Sequence, residues 1–129
     1  MQNISQVAKM IGLTPKAIRY YEEKGLISEP HRSDSGYRKY NDTLISELQF
    51  LKKARLAGFN LKECTALIEL YKDKNRCAKD VKSLTESKIE EMEVKAKALN
   101  DMIHYLKEIN ENCTGDDSSH CPIIDSLEQ

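Results

Sequence analysis

The sequence of 129 residues suffices for one domain, or for two small units joined by a helix, and its 32% of charged residues favours an extended helical protein over a large core. It contains no apolar run long enough to span a membrane and no N-terminal signal peptide, so we expect a cytoplasmic protein. The net charge of −1 hides an asymmetry between the two halves. Residues 1–58 contain ten Lys and Arg and six Asp and Glu, whereas residues 59–129 contain ten Lys and Arg and fifteen Asp and Glu. The basic N-terminal half favours nucleic-acid binding at that end of the chain.

The N-terminal segment predicts two short helices joined by a tight turn. The apolar residues of the first helix lie at helical spacing: Ile4, Val7, Ala8 and Ile11. Gly12 is expected to end this helix. Thr14 predicts an N-cap, with Pro15 at the first position of a second helix that stops at Gly25. Two helices arranged in this way form a helix-turn-helix.

The next segment predicts a wing followed by two more helices. Residues 26–40 contain the turn signal Asp-Ser-Gly at residues 34–36, between two stretches that can pair as a small hairpin. A third helix is expected to be capped at Asn41 and to end at Gly58. A fourth is expected to start near Asn60.

A long helix is predicted after a polar joint at residues 73–79, because no Pro or Gly occurs between residues 80 and 110. Its apolar residues follow a heptad pattern: Ile89, Met92, Ala96, Leu99, Ile103 and Leu106. The other faces of the helix are charged, and the helix is longer than the N-terminal unit can cover. A second copy of the chain is therefore the simplest partner, and the sequence predicts a homodimer.

Two cysteines bracket a polar loop near the C-terminus, C-T-G-D-D-S-S-H-C, at positions Cys113 and Cys121. Two thiolates suit a soft monovalent ion such as Cu(I), whereas structural zinc usually takes four Cys and His ligands. Ag(I) and Au(I) suit the same geometry. His120 is a weaker ligand candidate, because adjacent loop residues rarely bind one small ion. Cys64 lies on an apolar helix face and is expected in the core.

Three stretches carry a resemblance to a known family: I-R-Y-Y-E-E-K-G-L, G-Y-R-K-Y and L-K-K-A-R-L-A-G-F-N-L-K-E. Together they resemble the N-terminal domain of MerR-family transcription regulators. The tail C-T-G-D-D-S-S-H-C-P-I-I resembles the copper-responsive branch of that family. The fold class is thus expected to be mainly α, with a winged helix-turn-helix domain over residues 1–72, an antiparallel coiled-coil helix over residues 80–111, and a metal-binding loop within residues 112–129.

The resemblance also implies a mechanism. Each subunit of the dimer presents its winged helix to one half of a palindromic promoter. Metal binding makes the bound dimer bend and undertwist the DNA, so that RNA polymerase can start transcription of copper-efflux genes.

Seven residues are predicted to contact DNA. Lys16 and Arg19 lie three apart on the second helix and can both face the major groove, where Arg can bond two guanine acceptors. The adjacent tyrosines, Tyr20 and Tyr21, point in different directions, so one is expected to pack in the core. The resemblance favours the second of them as a DNA contact. It also implies backbone or minor-groove contacts by four further residues: Arg32, Tyr37, Arg38 and Arg55.

The joint leaves alternatives to a Cu(I) signal open. The resemblance implies that the metal loop is closed by the joint before the long helix of the partner subunit. A gap-free match to the family places Ala78 in this joint, where copper sensors carry Ser and divalent-metal sensors carry Cys, with Cys77 one residue earlier. A Zn²⁺ or Hg²⁺ regulator that uses Cys77 as a third ligand is one alternative, and a thiol–disulfide switch is another. An iron–sulfur cluster is disfavoured, because related cluster-binding regulators have four cysteines in this tail. An enzyme is not expected, since the sequence shows no catalytic constellation and no phosphate-binding loop.

Overall fold

The computed structural model describes all residues, 1–129, and contains six helices and a two-stranded sheet. The elements in chain order are α1 (Ile4–Ile11), α2 (Pro15–Glu23), β1 (His31–Arg32), β2 (Arg38–Lys39), α3 (Asp42–Leu56), α4 (Leu61–Lys72), α5 (Ala78–Glu111) and α6 (Pro122–Glu128). This order confirms the mainly α fold class. None of the helices combines the length and the apolar character that crossing a membrane requires.

Local capping signals explain where the first two helices begin and end. The side chain of Asn3 accepts a hydrogen bond from the N–H of Gln6, whose side chain accepts one from the N–H of Asn3. Gly12 ends α1 in the left-handed region, with φ of 86°. The hydroxyl of Thr14 accepts from the N–H of Ala17 at the start of α2. The helix-turn-helix prediction is confirmed.

The predicted wing is a short antiparallel hairpin. His31 pairs with Lys39, and Arg32 pairs with Arg38. The turn that joins the two strands passes through Gly36, whose φ is 85°. Beyond the hairpin, an isolated bridge between Gln2 and Tyr40 ties the end of the wing to the N-terminus through two backbone hydrogen bonds.

The chain divides into two compact units, Met1–Leu84 and Thr85–Gln129. The core of the first unit is built from buried side chains of α1 to α4 and of the wing, among them Val7, Ile18, Leu26, Tyr40, Leu48, Leu51 and Cys64. The expected core position of Cys64 is confirmed. Leu84 packs against this core, so the first turns of α5 belong to the first unit.

The long helix α5 starts at Ala78, two residues earlier than predicted, which shortens the joint to residues 73–77. Its heptad seam is uncovered in the single chain: the large apolar side chains of the seam are between 39% and 58% exposed. A continuous apolar stripe of this kind is typical of a surface that contacts another protein.

The C-terminal helix α6 was not predicted. Pro122 occupies its first turn, a position that Pro favours, and Cys121 is the N-cap residue. Ile123 of α6 lines an apolar groove together with Ile109, Leu106 and Ile103 of α5. This groove gives the short helix a packing surface within the second unit.

Candidate nucleic-acid interface and metal centre

The surface of α2 carries the two residues that were predicted to read DNA bases. Lys16 and Arg19 are both exposed, whereas Ile18 between them is fully buried in the core. The helix therefore separates an apolar face from a positively charged one, as an amphipathic surface helix does. This arrangement leaves both cationic side chains free to enter a groove of DNA.

Of the two adjacent tyrosines, the structure buries the one that the family resemblance favoured as a DNA contact. Tyr21 is only 8% exposed and packs in the core, while Tyr20 is 39% exposed. Burial raises the pKa of the Tyr21 hydroxyl, and the charge of Arg55 partly opposes this rise. Tyr21 still lines a surface depression together with Lys16 and Arg55. Tyr20 is the more open of the two.

The wing places its cationic side chains beside α2. Arg38 of β2 donates a hydrogen bond from Nε to Oε2 of Glu22 in α2, at 2.8 Å. Arg32 donates to the carbonyl of Gly36 at 3.0 Å, which holds its guanidinium against the hairpin turn. Tyr37 is 72% exposed at the tip of the wing.

Arg19 of α2 and three wing residues, Tyr37, Arg38 and Lys39, share one surface depression, which is called the basic surface below. The depression also reaches Asn3. A depression with this lining can accept phosphate groups, because it offers guanidinium, ammonium and hydroxyl donors. Sequence reasoning missed Glu22 as the residue that orients Arg38, since their contact spans 16 residues.

The remaining predicted DNA contact, Arg55, lies near the end of α3. Its guanidinium donates to the carbonyl of Phe59 at 3.2 Å, and the side chain is exposed. Together with Lys16 it forms the basic edge of the second depression.

The two cysteines of the C-terminal loop lie together. The Sγ atoms of Cys113 and Cys121 are 3.7 Å apart, and both residues are partly exposed. Cys113 follows the end of α5, and Cys121 immediately precedes α6, so two helix ends hold the pair. The structure thus brings together the two residues that were predicted as metal ligands.

The loop between the cysteines is organised by Asp116. Its carboxylate accepts hydrogen bonds of 2.9 Å from the N–H of Ser118 and from the hydroxyl of Thr114. Contacts with Ser118, followed by that with Thr114, lower the pKa of Asp116. Gly115 adopts φ of 70°, in the region that glycine favours. The hydrogen bonds that Asp116 accepts therefore stabilise the conformation of the loop.

The thiol of Cys121 is also favourably placed for ionisation. Its sulfur makes no capping hydrogen bond of normal geometry, but the nearby backbone N–H of Ile124 lowers the pKa of this thiol. Burial opposes this effect, and the Cys113 thiol and the N–H of Ile123 reinforce it. Because thiolates are the metal-binding form of cysteine, these N–H groups favour metal binding.

No further donor joins the thiol pair. The chain contains no cluster of three or more His, Cys, Asp and Glu side chains able to hold a metal ion. His120 points its Nδ1 atom towards the carboxylate of Asp125, at 3.7 Å. Cys77 is exposed and belongs to the other compact unit.

The separation of the two sulfur atoms constrains the ion geometry. With metal–sulfur bonds of ~2.3 Å, two sulfurs lie about 3.8 Å apart at a tetrahedral angle and about 4.6 Å apart on a line. The observed 3.7 Å therefore fits a bent arrangement directly, and a linear one requires the sulfurs to separate by roughly 0.9 Å.

Comparison with known proteins gives matches over nearly the whole chain. Residues 3–40 match the family described as MerR family regulatory protein, and residues 45–109 match the family described as MerR, DNA binding. The HTH-type transcriptional regulator CueR of Salmonella typhimurium is 50% identical over 125 residues, which cover 97% of this chain and 91% of that protein.

Two solved structures have the same fold. PbrR691 from Ralstonia metallidurans, in complex with lead(II), has a TM-score of 0.87 and 27% identity over 98% of this chain and 99% of its own. MerR from Bacillus megaterium, in complex with mercury(II), has a TM-score of 0.74 and 31% identity over 95% of each chain. The basic winged helix and these matches agree, and the chain belongs to the MerR family of DNA-binding transcription regulators, which are not enzymes.

Proposed function

We propose that the chain is a Cu(I)-responsive transcriptional activator that also responds to Ag(I) and Au(I). The observation that carries this proposal is the thiol pair Cys113 and Cys121, whose sulfurs are 3.7 Å apart with no third metal-binding side chain beside them. Soft thiolates favour Cu(I) over hard cations, and a site with two ligands favours a monovalent ion over Zn²⁺. The similarity to CueR, at 50% identity, supports the same assignment.

The regulator acts as a cytoplasmic homodimer on a palindromic promoter. The exposed apolar seam of α5 supports an antiparallel coiled coil between two copies, because the large apolar side chains of the seam lack a cover in one chain. Each copy then presents one winged helix to half of the promoter. Seven residues would contact the DNA: Lys16, Arg19, Tyr21, Arg32, Tyr37, Arg38 and Arg55. The burial of Tyr21 limits the surface that this residue can offer to DNA.

Transcription responds through the shape of the DNA. When Cys113 and Cys121 hold the metal, the bound dimer bends and undertwists the promoter, and RNA polymerase then starts transcription of copper-efflux genes. The free energy of this distortion depends on how easily the DNA sequence between the two half-sites deforms. The metal-free dimer occupies the same promoter without this distortion.

The test is a metal titration on purified, reduced protein against a strong competing chelator. We expect one tightly bound Cu(I) per subunit in the wild type and in Cys77→Ala, and none in Cys113→Ser or Cys121→Ser. Promoter DNA binding should persist in both serine variants, since the thiol pair and the winged helix lie in different compact units. Full Cu(I) binding by either serine variant would contradict the proposal.

A second candidate is a divalent-metal regulator that responds to Zn²⁺ or Hg²⁺ and uses Cys77 as a third ligand. Two observations favour it: the bent sulfur geometry, and the exposed thiol of Cys77 at the joint. The similar proteins PbrR691 and MerR were solved in complex with lead(II) and mercury(II). The same titration separates the candidates, because this one predicts tight Zn²⁺ binding that disappears in Cys77→Ala.

A further inference from the structure

Glu47 of α3 is a buried carboxylate that neither the basic surface nor the thiol pair uses. It is 2% exposed, at a helix face whose other buried residues are apolar: Leu44, Ile45, Leu48, Leu51 and Ala54. Acidic side chains are rarely buried without a partner, because an isolated charge loses its hydration inside a protein. The carboxylate must therefore be compensated by specific contacts.

Two segments that are distant in the sequence supply these contacts. The backbone N–H of Ser28 donates to Oε2 of Glu47 at 3.2 Å, and the hydroxyl of Ser28 donates to Oε1 at 3.4 Å. The Nζ atom of Lys72 lies 3.6 Å from Oε1. Ser28 precedes β1 by three residues, and Lys72 is the last residue of α4. One carboxylate thus contacts both the root of the wing and the C-terminal end of α4.

The two contacts differ in strength. Two donors of Ser28 contact both oxygens of Glu47, so the root of the wing is attached to this side chain at two points. The side chain of Lys72 is 36% exposed, and solvent weakens its attraction to Glu47. The hydroxyl of Ser28 and the Nζ atom of Lys72 contact the same oxygen of Glu47, so a displacement of the C-terminal end of α4 also shifts the acceptor that holds the root of the wing.

We propose that Glu47 is a positioning residue for DNA binding, which fixes the root of the wing on α3 and makes the wing position sensitive to the C-terminal end of α4. The wing carries Arg32 and Arg38, so an error in its position weakens their contacts with phosphate groups. The role of these arginines is part of the proposed function, on which this inference rests. Glu47 is buried and acts through the segments that it holds.

The test compares DNA binding by the wild type and by Glu47→Gln, with the palindromic duplex that the wild-type chain selects from a random-sequence library as the probe. Glu47→Gln removes a negative charge, which by itself strengthens attraction to DNA. We expect the opposite result, about tenfold weaker binding, because misplaced wing arginines lose phosphate contacts. The slope of log K against log salt should fall in magnitude by about one to two.

Matched variants of α4 separate positioning from general effects of charge. Lys72→Met should weaken binding and reduce the salt slope in the same direction as Glu47→Gln. Lys62→Met removes the same charge from an exposed position of the same helix and serves as its control. Lys72→Arg retains the ion pair and should restore wild-type affinity. If Glu47 only stabilised the fold, Glu47→Gln would lower the melting temperature, but the folded variant would bind DNA with the same salt slope as the wild type.

The outcomes distinguish the inference from the function on which it rests. A wild-type chain that selects no duplex overturns both. Tight binding by the wild type, with equal affinity and equal salt slope for Glu47→Gln, overturns the positioning role alone. If Glu47→Gln does not fold, the comparison of Lys72→Met with its control Lys62→Met tests the inference instead. Equal DNA affinities of these two variants overturn it.

Discussion

Arg38 of the wing donates a hydrogen bond of 2.8 Å from Nε to the carboxylate of Glu22 in α2. The side chain of Glu22 is 11% exposed and that of Arg38 is 26% exposed, so the pair is partly shielded from solvent. Because Nε takes this bond, the terminal nitrogens of Arg38 stay available for a phosphate group. The ion pair therefore joins the wing to α2 and also aims the guanidinium.

This relationship predicts that Glu22→Gln weakens DNA binding even though it removes a negative charge from the basic surface. We expect about tenfold weaker binding, because a hydrogen bond to a charged group is worth about 1.5 kcal/mol and its loss lets Arg38 turn away. The measurement is fluorescence anisotropy with the duplex that the wild type selects.

Glu23→Gln is the matched control for that variant, since Glu23 is the exposed neighbour on the same helix. It removes the same charge without touching the wing, and it should bind DNA as tightly as the wild type or slightly more tightly. Equal affinities of the two glutamine variants would show that the pair with Arg38 does not orient the wing.

Arg19 and Arg32 are expected to contribute to DNA binding in different ways, the first by base recognition and the second by a phosphate contact. Arg19→Ala should relax the choice of base at one position of the half-site, at a cost of about 1–3 kcal/mol, because the proposed role of Arg19 is to contact base edges in the major groove. Arg32→Ala should weaken binding to all sequences alike and lower the salt slope by about one, as expected for a phosphate contact. Selection from a randomised library at several salt concentrations measures both effects, and a changed base preference in Arg32→Ala would contradict the assignment.

Much of the fold could be predicted because its signals are local. Thr14 and Asn41 cap helices as expected, and Gly12 ends α1 where its left-handed conformation requires glycine. The wing turn and the long helix without Pro or Gly follow from the same kind of pattern. The two cysteines were readable as a pair because only a short loop separates them.

Other features depend on contacts that the sequence does not reveal. Which of two adjacent tyrosines is buried depends on the packing of α2 against the core, and the structure buries Tyr21, the one that the family resemblance favoured as a DNA contact. The partners of Glu22 and Glu47 lie 16 or more residues away. The short helix α6 was missed, although Pro122 after Cys121 is a recognisable start signal.

The uncovered seam of α5 predicts that one charged substitution disrupts the dimer. Ile103 is a seam residue and is 42% exposed in the single chain. Ile103→Asp would place a carboxylate in each copy within an apolar interface, where burial of an unpaired charge is unfavourable. We expect a dissociation constant at least about a hundredfold higher, which corresponds to about 2.7 kcal/mol. Analytical ultracentrifugation over a range of concentrations measures it.

The control for this prediction is Val94→Asp, which introduces the same charge on the same helix away from the seam, at a side chain that is 65% exposed. It should leave the dimer intact. Equal effects of the two substitutions would indicate that aspartate disturbs α5 in general, and a dimeric Ile103→Asp variant would exclude this seam as the interface.

The loop hydrogen bonds of Asp116 predict a role in preparing the thiol pair for metal. Asp116→Ala removes the acceptor for Ser118 and Thr114, so the metal-free loop becomes less ordered. Metal binding must then order the loop at a cost in free energy, and we expect about fivefold weaker Cu(I) binding. Asp117→Ala removes the same charge next to it and should change the affinity less. Asp116→Asn keeps an oxygen that can accept from the N–H of Ser118 and should recover part of the loss. Competition with a Cu(I) chelator gives all three affinities, and equal losses for both alanine variants would mean that charge, and not loop shape, governs metal binding.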